Sequence, residues 1–133
     1  MSRIPFQFAI NTMITLLSAV VIFHILVLIQ IIPYQIVWAG RLNSIAEMQR
    51  FETISILINC FIILIITIKG NYLNFKFSSK IIISLVWLFI ILFSLNTIGN
   101  LMAKSNFEKL VFTPLTFILA LLSFRIIKEG QKS

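Results

Sequence analysis

The sequence predicts an all-α, polytopic membrane protein: one small four-helix transmembrane domain spanning residues 1–133, with both termini cytoplasmic. Three observations lead there. Of the 133 residues 59% are hydrophobic and only 11% charged, and a mean hydropathy of +1.05 lies outside the range of soluble globular domains. Four apolar segments, at about 8–32, 45–69, 81–101 and 106–128, can each cross roughly 30 Å of hydrocarbon at about 1.5 Å per helical residue. The basic residues divide unequally between the two sides that four spans create. Arg3, Lys69, Lys76, Lys80, Arg125, Lys128 and Lys132 fall with the termini and the middle link, against Arg41, Arg50, Lys104 and Lys109 on the other side. By the positive-inside rule the first set is cytoplasmic. A multi-pass protein of a cell membrane, taken as a bacterial cytoplasmic membrane, is the expected setting, and the Ile, Lys, Asn and Phe bias points to an AT-rich genome.

Composition removes several function classes. The net charge of +7 is scattered among segment ends rather than gathered on one face, so topology explains it better than nucleic-acid binding does. One Cys and one His cannot form, within a subunit, a disulfide, a CxxC redox pair, a Cys/His zinc site or a bis-His haem; no metal site is expected and no cofactor is assigned. Asp is absent, which removes aspartyl-phosphate chemistry and EF-hand loops. The apolar run behind MSRIPFQ is longer than a signal-peptide core, so the first helix is read as retained.

In chain order, the first span is expected to close at Pro33, which cannot continue a helix without losing a hydrogen bond. Asn11, Thr15 and Ser18 share a face near its start, His24 and Gln30 lie toward its far end, and Tyr34 and Trp38 suit a membrane interface. The polar stretch to Phe51 contains Ser44 and Glu47, the S-x-x-E spacing of a capping box, so the second helix begins near Ile45. It continues to Lys69, with Gly70 as C-cap. Met48, Glu52, Ser55 and Asn59 fall at helical spacing on one of its faces. The third span is almost purely apolar until Ser94. Asn96, Asn100 and Lys104 then follow at i, i+4, i+8 on one edge. Ser105 and Glu108 form a second S-x-x-E pair opening the last helix, and Pro114 should kink that helix, freeing carbonyls near Leu110 that lipid cannot satisfy.

The polar side chains of the four spans therefore collect in the half of the bilayer away from the termini. Glu52, Ser55, Asn59, Asn96 and Asn100, roofed by Trp38, Arg41 and Lys104, are the candidate ligand-binding residues of an outward-facing pocket, with His24 a secondary candidate. Arg41 would anchor an anionic group through its guanidinium fork. Glu52 lies beyond the cap on the inward stripe and suits an ion pair with Arg41 or Lys104, a general base, or a ligand carboxylate. The alternative for the amides and hydroxyls is plain cross-helix hydrogen bonding, worth about 0.6 kcal/mol per contact.

Small multidrug transporters have this length, but their pattern needs a carboxylate deep in the first helix, where this chain has His24; quinone-linked disulfide formers need the paired cysteines it lacks. The R-x-E and downstream Asn of RFETISILIN resemble membrane glutathione-transferring proteins, without that family's fuller Arg- and Asn-rich signature. The leading expectation is a binding or accessory membrane protein holding a small or lipidic ligand. Its alternatives are a membrane enzyme acting on a lipid or quinone with Glu52 in proton transfer, and a structural subunit of a membrane complex or oligomeric transporter. The lipid bilayer is the expected partner in each case, with a homo-oligomer possible and nucleic acid not expected.

The topology is checked by impermeant labelling in a Cys60→Ser background. A cysteine at Asn43 should react with maleimide added to intact cells, and one at Asn71 only after permeabilisation. The opposite pattern would turn the termini outward.

Overall fold

The computed structural model describes residues 4–34, 43–73, 78–103 and 106–132. Those residues form α1 (Phe6–Leu28), α2 (Ile45–Lys69), α3 (Ser79–Leu101) and α4 (Thr113–Lys132), the last preceded by a π-helical turn, Glu108–Phe112. Four spans are long and apolar enough to cross a membrane: Phe6–Leu28, Ile45–Lys69, Ser79–Leu101 and Lys109–Lys128. The described residues include no strand.

The helices pack as two antiparallel hairpins. α1 runs along α2 and α3 along α4; the hairpins meet chiefly through α1 and α4, while α2 and α3 barely touch. The core between them is built from Ile10, Met13 and Leu17 of α1, Ile66 of α2, Phe89 of α3 and Ile126 of α4, all essentially inaccessible. The outside is as apolar as the inside: Leu57, Leu88, Leu95 and Leu110 are all exposed. Such a surface would be an aggregation hazard in water and is ordinary in lipid.

Helix ends follow from local chemistry. The Ser44 hydroxyl accepts the Glu47 amide at 3.1 Å, so α2 starts at Ile45 as its capping spacing requires. The matching Ser105 lies outside the described residues. α1 stops at Leu28, four residues short of the expected position 32. Gln30 takes a left-handed conformation, φ 67°, and the amides of Gln30 and Ile31 turn back to the carbonyls of Val27 and Leu26 at 3.0 and 2.9 Å. This is a Schellman ending, reached several residues before Pro33 could act. α2 ends in the same way, with Asn71 at φ 66° and the Tyr72 amide on the Thr67 carbonyl at 3.0 Å.

Gly70 is the C-cap expected of it, but its φ is −81°, which any residue can adopt. The glycine is needed for space instead. A Cβ at this position would stand 2.6 Å from Cγ2 of Ile10, on the neighbouring α1. At the same end of the bundle the Tyr72 hydroxyl donates to Oδ1 of Asn11, and Nε of Arg125 donates to the Ile4 carbonyl at 2.6 Å. These contacts tie the start of α1 to the α2–α3 link and to α4.

Pro114 is accommodated by the π-turn just before it, where widening the helix removes the clash that a proline ring makes with the carbonyl four residues back. The hydroxyl of Thr116 then donates to the Phe112 carbonyl at 2.7 Å, so the side chain supplies a donor close to where the backbone pattern is interrupted.

Gly70→Ala should destabilise the protein by about 1–3 kcal/mol through overpacking against Ile10, read as a fall in the thermal unfolding midpoint in detergent. Adding Ile10→Ala should cost less than the two separate losses together. Strict additivity would mean that this contact does not limit how closely the helices approach.

Candidate functional site

The site begins with a pair that joins the first hairpin. His24 lies four residues before the end of α1 and Glu52 seven after the start of α2, so antiparallel packing brings them to similar depth. Nδ1 of His24 and Oε2 of Glu52 are 2.5 Å apart, with Glu52 completely buried and the His24 side chain 18% exposed. A buried carboxylate in contact with an imidazole gains a charge-assisted hydrogen bond that offsets part of its desolvation. Beside the pair, Val27 and Met48 are buried together, with Phe23 and Leu28 packed against them.

A second polar seam joins α3 to α4. The Thr116 hydroxyl, which donates to Phe112, also receives Nδ2 of Asn100 at 3.4 Å, and Oγ1 of Thr97 lies 2.9 Å away. Oγ1 of Thr113 is buried and has no hydrogen-bond partner among the described residues.

Between the pair and the seam is a cavity of about 280 Å³. Its polar wall is His24, Ser55, Asn59, Asn96, Asn100 and Thr116, drawn from all four helices. Its apolar wall includes Val20, Leu92 and Leu119, on the side nearer the termini, Leu115 at the level of Thr116, and Phe23 and Phe112, whose rings meet edge to face at 4.9 Å. Carboxamides, hydroxyls and an imidazole thus share one cavity with aliphatic and aromatic side chains. Such a wall can orient an amphiphile and hydrogen-bond its polar end.

The residues singled out from the sequence are distributed as follows. Ser55, Asn59, Asn96 and Asn100 line the cavity together; Nδ2 of Asn59 donates to the Ser55 carbonyl at 2.8 Å. His24 lines it as well. Glu52 is not on the wall but behind it, in contact with His24. Trp38, Arg41 and Lys104 lie outside the described residues. Thr116, Phe23 and Phe112 were not foreseen as wall residues. For Thr116 a signal existed: a hydroxyl two positions past a helix-breaking proline is well placed to satisfy the interrupted backbone.

No protein-family model, curated protein or solved structure matches the chain, so the chemistry of the site rests on its own residues.

Removing one member of the buried pair should be costly. His24→Leu is expected to lower stability by about 3 kcal/mol, the lower end for breaking a buried pair because His24 is partly exposed. The double variant His24→Leu/Glu52→Leu should lose clearly less than the two single losses combined. Additive losses in thermal unfolding would show that the two side chains are not coupled.

Proposed function

We propose that this chain is a multi-pass membrane protein that binds a small or lipidic ligand in the cavity at the end of the bundle away from its termini. Positive-inside charge placement turns that end outward, so the protein acts as a binding or accessory protein serving the outer leaflet. The observation that carries this reading is the cavity itself, where six polar side chains converge from four helices that are otherwise hydrocarbon. Intramembrane polar groups usually face protein partners or a cavity. Simple cross-helix bonding accounts for the Thr97, Asn100 and Thr116 seam, but it leaves Asn96 unexplained.

The His24–Glu52 contact favours a second reading, a membrane enzyme acting on a lipid or quinone. In it His24, on the wall, exchanges a proton with the bound molecule, and Glu52 positions the ring and balances its charge. This moves proton transfer from Glu52, as expected from the sequence, to the residue in front of it.

Native mass spectrometry of protein gently extracted from its own membrane is the test. The expected result is a co-purifying small molecule that is lost from Asn96→Ala and Glu52→Ala. Substrate and product retained side by side would favour the enzyme. A bare chain, or retention unchanged in both variants, would remove the pocket reading.

A further inference from the structure

The cavity wall is short of hydrogen-bond partners in a way that specifies what would fill it. Asn96 makes no side-chain hydrogen bond among the described residues. Asn59 and Asn100 commit Nδ2 to Ser55 and Thr116 and leave Oδ1 without a partner among those residues; His24 commits Nδ1 to Glu52 and leaves Nε2. In hydrocarbon such groups are strongly unfavourable unless paired. The open set combines carboxamide oxygens, which need donors, with the Asn96 amide, which needs an acceptor. The described wall residues include no Lys or Arg. An anionic head would therefore find no countercharge in this set, and an ester, which only accepts, would leave the carboxamide oxygens unmet. A hydroxyl both donates and accepts.

Size narrows the choice. A volume of about 280 Å³ holds about nine water-sized groups, enough for a glycerol-sized head and the first methylenes of a chain but not for a whole lipid. The remainder must leave through the wall. The gap for it lies between α2 and α3 at the level of the cavity; these helices make few contacts, and the Phe61–Phe89 ring pair that bridges them at 6.3 Å lies on the termini side. Ile58 of α2 and Asn96 of α3 both line the cavity and both are exposed on the bundle surface, so the cavity reaches the lipid-facing side there.

We infer that the pocket takes a neutral, hydroxyl-bearing lipid admitted sideways from the bilayer between α2 and α3. Its head hydrogen-bonds Asn59, Asn96, Asn100 and His24, and its chain follows the α2–α3 gap. This rests on the pocket reading above and names the class of its ligand.

The test is native mass spectrometry of the purified full chain in detergent, titrated separately with monooleoylglycerol, methyl oleate and oleoyl lysophosphatidylglycerol. Monooleoylglycerol should be retained one per chain and at least tenfold more tightly than the other two. Asn96→Leu should weaken it at least tenfold. Ile58→Trp, at an exposed apolar position that folding tolerates more easily, should do so by filling the gap. Equal retention of methyl oleate, or tighter retention of the lysophospholipid, with either still lost in Asn96→Leu, would overturn the neutral hydroxyl class while leaving the pocket intact. Retention of none of the three, or a lipid-free dimer, would overturn both.

Discussion

A bilayer interior offers no water to complete a hydrogen bond, and four helices apolar enough to cross a membrane, counted among the described residues, must meet that constraint from within the chain. Where a helix is regular its backbone satisfies itself and the side chains can be Ile, Leu and Phe without distinction. Where it is not, a side chain or a turned backbone steps in: the hydroxyls of Thr116 beside Pro114 and of Ser44 at the start of α2, and the amides that the left-handed Gln30 and Asn71 turn back at the ends of α1 and α2. Glu52 is the most demanding group because it is ionisable and fully buried, and His24 answers it from the facing helix. The first hairpin is organised about that contact. The second is organised about Thr116 and its neighbours on α3.

The cavity follows from how these two hairpins meet. They join chiefly along α1 and α4, and α2 meets α3 at few points, among them the Phe61–Phe89 ring pair, so beside the cavity the polar residues of each hairpin face a space that neither fills. At the end holding the termini, Ile10, Leu17, Ile66 and Ile126 close the interior with hydrocarbon. At the other end, amides and hydroxyls take the place of branched aliphatics and the packing opens. Cross-helix hydrogen bonding accounts for part of this polarity, as between Asn100 and Thr116, whereas Asn96 makes no side-chain hydrogen bond among the described residues.

Much of the fold was legible because length and hydropathy are sufficient to mark a membrane-crossing helix, and because Ser44 and Gly70 are local signals read at close range. The early end of α1 was not legible: glutamine has no special tolerance for φ near 67°, whereas Pro33 is a conspicuous stop. The polar stripe Glu52, Ser55, Asn59 was legible because it interrupts an apolar helix at helical spacing, and it does turn inward. The partner of Glu52 was hidden for a different reason. His24 sits at a compatible depth, but the polar face that Asn11, Thr15 and Ser18 mark on α1 lies on the other side of the helix, so it does not announce the rotation that aims His24 at α2. The cations expected for Glu52, Arg41 and Lys104, lie outside the described residues; among the described ones it is packing of α1 on α2 that adds the histidine.

The π-turn before Pro114 has a consequence for how this chain tolerates changes in length. A π-turn holds one residue more than the α-turn it replaces, so it offsets everything on one side of it by about 100° relative to the other. Phe107 and Thr116 are nine positions apart and would fall on opposite faces of an unbroken α-helix. With the extra residue between them, Phe107 stacks on Phe23 while Thr116 and Leu119 face the same cavity. Deleting any single residue between Glu108 and Phe112 would remove the extra residue, return the Pro114 ring to its clash with the carbonyl four residues back, and swing one of these groups away from its present neighbours. Within that turn the count of residues matters to the architecture as well as the identity of Phe112, whose ring packs on Phe23.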